Sequence, residues 1–333
     1  MAFMANTSSR VSEFQMICFP GIQSWQHWLS IPLACLFLIG LAANSSLLIT
    51  IYSAPSLHQP MYYFLCFLAF VDLSITLSVT PKALTILWFD LQTTSLAACF
   101  SQMYIIYVCQ GMQSSIFMFL AYDRYIAICN PLRYSSIITK SLTSKAASLM
   151  LTSSAVFSLP FPLLASKLHY CENNKVEHCF CENLPVAQLA CDSHTVSSFY
   201  SLGMLTIFLG FNTAVMAYSY IMIIQAVLRL RSSKAAFKAL STCGSHLILI
   251  GFFYITMIAA ATTNRAEQSM PKFAHILLTV LQYLAPPAFH PVVYGICTQE
   301  IRHTFQKLLA RKRHSFPRKR NWRTIQLLWN QGK

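Results

Sequence analysis

Seven long stretches of this chain carry almost no charge: Trp28 to Tyr52, Met61 to Leu87, Cys99 to Tyr122, Ala146 to Ala165, Ser198 to Leu228, Ala239 to Thr263 and Phe273 to Cys297. Each reaches the roughly 20 residues that a helix needs to cross a hydrocarbon core of about 30 Å. A lipid-spanning backbone must satisfy its own polar groups, which leaves helices or a closed barrel. Alternating segments of about ten residues are absent, so helices are favoured over a barrel. With 55% hydrophobic and 10% charged residues, the surface of a soluble domain of this length would be largely apolar. The fold class expected is all-α, a seven-transmembrane helix bundle.

Basic residues give the orientation. Eighteen of the 24 Lys and Arg fall in the third and fifth connections, after spans three and five, which share a side, or in the tail; the other side holds Arg10, Lys82, Lys167, Lys175, Arg265 and Lys272. The positive-inside rule then puts the amino terminus outside and the tail in the cytosol. The organisation expected is an extracellular segment 1–27, a seven-helix domain 28–297 and a cytoplasmic tail 298–333. Within the tail, Thr298 to Leu309 places Ile301, Phe305, Leu308 and Leu309 on one face, the pattern of a short amphipathic eighth helix on anionic lipid. That reading explains the net charge of +14 without nucleic acid.

Met1 to Gln15 lacks the apolar core of a cleavable signal, so the first span is expected to serve as signal anchor. Asn6-Thr7-Ser8 is an accessible glycosylation sequon, whereas Asn44-Ser45-Ser46 sits inside a span. Between the fourth and fifth spans, Ser166 to Ser197 holds Cys171, Cys179, Cys181 and Cys191, facing Cys99 at the start of the third. Oxidation is expected on the outer side. The spacings lack the paired C-x-x-C form of a structural zinc site despite His169, His178 and His194 nearby, so no metal or other cofactor is expected. Five cysteines allow two bridges and one spare thiol, and spacing does not choose it.

Asp123-Arg124 follows the third uncharged stretch directly. An arginine at a membrane boundary must pair or snorkel, which marks it as functional. Asp72 is the sole acid deep in a span and needs a partner, a cation or a proton. Pro160, Pro162, Pro271, Pro286, Pro287 and Pro291 lie in or beside spans four and seven, where they free carbonyls and bend helices.

Four blocks in order make the chain resemble an odorant receptor of the rhodopsin-like family. They are Leu57-His58-Gln59-Pro60-Met61-Tyr62-Tyr63-Phe64-Leu65, Ala121 to Tyr134, Lys238-Ala239-Leu240-Ser241-Thr242-Cys243-Gly244-Ser245-His246-Leu247 and Pro291-Val292-Val293-Tyr294. The third block and His178-Cys179-Phe180-Cys181-Glu182 resemble the class I, fish-like branch. The resemblance implies bridges Cys99 to Cys181 and Cys171 to Cys191, with Cys179 spare. It implies a plasma-membrane receptor that binds a small volatile or water-soluble odorant and activates a heterotrimeric G protein of the stimulatory olfactory class, raising cyclic AMP. Asp123, Arg124, Tyr220 and Tyr294 would form the switch, with interfacial belt aromatics as the plainer reading of the two tyrosines. Asn44 and Asp72 match a buried polar site. There, Gln113 stands where the family usually has glutamate and His290 where it has asparagine, and Cys297 replaces a basic residue. These changes argue against sodium at Asp72 and give the switch an imidazole able to respond to pH.

Ligand sites between helices are apolar with a few polar anchors. Offsets of three and four put Tyr107, Gln110, Gly111 and Ser114 on one face of the third span. Met204, Phe208, Tyr254, Met257, Ala261 and Tyr283 are expected to face them. Arg265, one turn beyond Ala261, is the candidate anchor for a carboxylic acid, because guanidinium binds carboxylates in a bidentate way. A transporter lacks support without inverted repeats or broken glycine-rich spans. A receptor for peptides or metabolites would share the fold and switch. The chain has neither paired catalytic acids nor a hydrolase motif, so no enzyme activity is expected.

Overall fold

The computed structural model describes residues 11–22, 24–171, 174–229, 233–263 and 271–315. Eight long helices follow in order: α1 (Gln26–Ser53), α2 (Pro60–Phe89), α3 (Leu96–Cys129), α4 (Lys140–Ser166), α5 (Thr195–Leu228), α6 (Ser233–Thr263), α7 (Lys272–Cys297) and α8 (Gln299–Ser315). The first seven are long and apolar enough to cross a membrane, and each contains one of the uncharged stretches. Pro60 opens α2 at its first position, where the missing N–H is no loss. Ser95 and Thr139 cap α3 and α4 by accepting from Ala98 N and Leu142 N. At the break in α4, Leu159 separates Lys140–Ser158 from Pro160–Ser166, as expected where Pro160 cannot donate to the preceding turn.

The bundle packs around α3, which meets α2, α4 and α5, and around α7, which meets α1, α2 and α6. Large side chains such as Phe70, Phe199, Phe211 and Ile255 are more than 60% exposed on the outer surface. Lipid is the solvent that accepts such a face. Helix α7 runs unbroken through Pro286, Pro287 and Pro291. Pro291 has no N–H for the Pro287 carbonyl four residues back; Asn44 Nδ2 on α1 donates to that oxygen at 2.8 Å and to Gly40 O at 2.9 Å. At the far end α8 turns away from α7 and packs against α7 and α1. It is longer than the Thr298 to Leu309 expected, and it buries Ile301 while leaving Phe305 and Leu309 outward.

A small sheet caps the other end of the bundle, unforeseen in the sequence. Strands β1 (Glu13–Met16), β2 (Thr93–Ser95) and β3 (Lys175–Val176) lie in the order β2-β1-β3, with β1 antiparallel to β2 and parallel to β3. Phe14 and Met16 of β1 are fully buried beneath it, Phe14 edge-on to Tyr170 at 5.0 Å. Three disulfides tie the cap down: Cys99–Cys181, Cys171–Cys191 and Cys18–Cys179. The first two are the pairs implied by the resemblance. The third corrects the expectation of a spare Cys179: β1 pairing with β3 carries Cys18, 161 residues away in sequence, to the loop.

Candidate functional site

A cavity of about 140 Å³ lies just under this cap, the size of an engineered cavity that takes up benzene. Tyr107, Gln110, Gly111 and Ser114 of α3 line it, together with Met204 and Phe208 of α5, Met257 and Ala261 of α6 and Tyr283 of α7. Tyr254 is brought to the same place but not to the wall: its hydroxyl lies 2.9 Å from Ser114 Oγ, directly behind the lining. Arg265 and the Asn6 sequon fall outside the described residues.

Other lining residues were missed in the sequence. Phe157, Ser158 and Phe161 enter from α4, Ser201 and Leu205 from α5, Gln282 from α7, and Glu182 and Leu184 from the loop. Pro160 was the available signal for α4, because its break turns Phe161 inward to stack on Tyr107 at 4.0 Å. The signal for Glu182 was its neighbour Cys181, tied to α3. Gln102 Oε1 accepts from Cys181 N at 2.9 Å, Asn183 N donates to Tyr107 OH at 3.4 Å, and Phe180 meets Tyr283 edge-on. The loop is thus a fixed roof. Within it His178 is fully buried beside Phe180, and burial, aided by His275, pushes its pKa down to about 3. At the cap surface Lys272 of α7 pairs with Glu177. Asp192 is held below the usual carboxylate range by its hydrogen bond with His169.

Below the cavity a polar chain crosses the bundle. Asn212 Nδ2 donates to Ser114 Oγ at 2.6 Å, so α3, α5 and α6 meet at one hydroxyl pair. One layer deeper, His290 Nδ1 lies 3.0 and 3.2 Å from the two Asp72 oxygens, and Gln113 Nε2 donates to Asp72 Oδ1 at 2.7 Å. Asp72 therefore has its partners from α3 and α7. Asn44 is buried nearby but serves the α7 backbone instead of the carboxylate.

At the opposite end Arg124 Nε is 3.8 Å from Asp123 Oδ2, and Tyr134 OH donates to Asp123 Oδ1 at 2.9 Å. Burial and the Asp123 charge raise the Tyr134 phenol above its ordinary range. Tyr294 is 1% and Tyr220 7% exposed, which removes the reading of both as interfacial belt aromatics. Tyr294 OH lies 3.4 Å from His246 Nδ1 of α6, while the Tyr220 hydroxyl is buried without a hydrogen-bond partner among the described residues. A polar group in that condition is costly where it stands and is relieved by a rearrangement that supplies a partner.

Comparison with known proteins agrees with this architecture. The family model described as olfactory receptor matches residues 33–312. The chain is 48% identical over 314 residues to human olfactory receptor 56A1, covering 94% of this chain and 99% of that one. It is 46% identical over 300 residues to mouse olfactory receptor 56B34, covering 90% and 93%. The crystal structure of squid rhodopsin superposes with a TM-score of 0.71 at 15% identity, over 89% of this chain and 81% of that one, which establishes the shared fold. With the seven-helix bundle, the family match over most of the chain and relatives of near-equal length, this multi-pass membrane protein belongs to the olfactory receptor family of G-protein-coupled receptors.

Proposed function

We propose that the cavity under the disulfide cap is the odorant site, and that its occupation drives activation of a stimulatory olfactory G protein and a rise in cyclic AMP. The observation that carries this reading is the Ser114–Tyr254 contact. Ser114 lines the cavity, and Tyr254 belongs to α6, the helix that also holds His246 against Tyr294 beside the Asp123–Arg124 end. A ligand that competes for Ser114 changes what holds α6 against α3. The response is then a population shift set by differential affinity for two packings. Arg124, weakly restrained by Asp123, would be released toward the G protein, and Tyr220 and Tyr294 would gain partners in the open cleft.

In this reading the cap and Asn6 face outward and α8 lies on the cytoplasmic leaflet of the plasma membrane, as the basic residues suggest. The class I wording of the His178 to Glu182 segment supports water-soluble odorants. Carboxylic acids enter the account through Arg265 alone, and the described cavity wall holds no Lys, Arg or His. The test is cyclic AMP in cells that supply the olfactory G protein, across alcohols, amines, aldehydes and acids. Arg124→Ala at matched surface expression should abolish the response, and a response that survives it rejects the switch.

A further inference from the structure

The roof of the cavity is sealed and one of its walls is not. Roof residues Phe180, Cys181, Glu182 and Asn183 are each 8% exposed or less, and disulfide and hydrogen bonds hold them there. Phe157 on α4 is 48% exposed, the one exposed side chain among the described lining residues. Around it Val156, Leu159 and Leu163 of α4 and Phe199, Ile207 and Phe211 of α5 turn large apolar side chains outward. That side of the cavity therefore faces hydrocarbon. The seam behind Phe157 is thin. Helix α5 packs against the Pro160–Ser166 segment of α4, whereas the Lys140–Ser158 segment packs chiefly on α3, so the packing changes partner at the Pro160 break. Beyond the break Phe161 is pinned between the rings of Tyr107 and Tyr200. At the level of the cavity the closure consists of Phe157 edge-on to Phe208 at 5.7 Å, and of Tyr200 OH on α5 donating to the Phe157 carbonyl at 2.6 Å. One aromatic pair and one hydrogen bond make a weak door.

We propose that odorants reach the cavity sideways, from the bilayer between α4 and α5, with Phe157 and Phe208 as the gate and the Tyr200 hydroxyl as its latch. The receptor thereby takes uncharged molecules in preference to ions of the same size. The proposal rests on the cavity being the odorant site. An ionised head group on this route has to leave water for hydrocarbon, a cost that a neutral one largely escapes. A five-carbon alcohol dissolves in water as well as in lipid, so the route selects against charge and not for insolubility. A cavity of about 140 Å³ suits a chain of that length with one head group, on the scale of benzene.

The experiment uses the full-length receptor in lipid nanodiscs with trifluoropentanol as probe, and fluorine NMR exchange reads Kd and both rates. Tyr200→Phe leaves the cavity lining intact and should speed association and dissociation alike by about three- to tenfold, the worth of one neutral hydrogen bond, at an unchanged Kd. Phe157→Trp enlarges the gate and should slow both rates. A folding defect lowers the bound fraction but does not move both rates together in opposite directions in the two variants, which separates a gate from a structural role. Trifluoropentanoate at pH 8, where it is ionised, should associate at least about tenfold more slowly than the alcohol. Rates unchanged in Tyr200→Phe and Phe157→Trp, with the alcohol still bound, overturn the route and leave the cavity as the odorant site. Trifluoropentanoate entering as fast as the alcohol overturns it as well. No binding to the parent, or binding untouched by Ala261→Phe, rejects the cavity itself and the route with it.

Discussion

The carboxamide of Asn44 on α1 donates at 2.8 Å to the Pro287 carbonyl that Pro291 leaves open on α7. One polar side chain thereby keeps a proline-rich helix continuous and clamps it to its neighbour. Asn44→Leu should leave that oxygen buried without a donor and destabilise the bundle by about 1–3 kcal/mol. Thermal unfolding of the purified receptor checks this, and an unchanged melting temperature would show that α7 does not need the bond.

Gly111 gives up its side chain to let α4 approach. A Cβ there would stand 3.0 Å from Ser154 Oγ and 3.3 Å from Ser154 Cβ. Gly111→Ala should therefore press α3 from α4 at a cost of about 1 kcal/mol or more, and Ser154→Ala in the same chain should recover most of it. Equal stability of the single and double variants would mean that the Ser154 hydroxyl already rotates away freely.

Cys18–Cys179 closes a separation of 161 residues, and loop-closure arguments assign a bridge of that kind roughly 2–5 kcal/mol. The paired change Cys18→Ser with Cys179→Ser should lower stability while leaving Cys99–Cys181 in place. Cys18→Ser alone should be worse at the cell surface, since it frees a thiol two residues from Cys181 to exchange with that bridge. Surface labelling of the three forms decides it, and equal expression of the single and double variants would reject thiol exchange.

His178 makes the cap sensitive to acid. Its folded pKa is depressed to about 3 by burial, against about 6.5 in an unfolded chain. Between those values the unfolded state binds the extra proton, so stability falls as pH falls below about 6.5, by up to roughly 2 kcal/mol at pH 5. The neighbours facing it are Glu182 and, from α7, His275. His178→Phe should flatten the melting temperature between pH 7.5 and pH 5; a slope identical to the parent's would place the sensitivity elsewhere.

Much of this structure was legible in the chain. The seven spans could be read because lipid tolerates so little charge, and each helix extends its uncharged core by up to a few turns. Offsets of three and four put Tyr107, Gln110, Gly111 and Ser114 on one wall because α3 is regular there. The cap was illegible for a different reason. Strands of two to four residues carry no periodicity, and the Cys18–Cys179 bridge depends on their pairing. Glu182 and Phe161 reach the cavity through a disulfide and a proline break, both tertiary consequences. Asp72 was readable as a buried acid in need of a partner, but the choice of His290 and Gln113 over Asn44 is set by how α7 packs.

The central claim is that a ligand in the cavity under the cap moves the Asp123–Arg124 end. The most direct measurement is a cyclic AMP concentration series for an activating odorant on the parent, Ala261→Phe and Arg124→Ala at matched surface expression, with thermal stabilisation of each purified form. The account predicts that Ala261→Phe, which fills the cavity, loses both binding and response, and that Arg124→Ala still binds but stays silent. A full response from Ala261→Phe would contradict it, because the odorant would then act from somewhere other than this cavity.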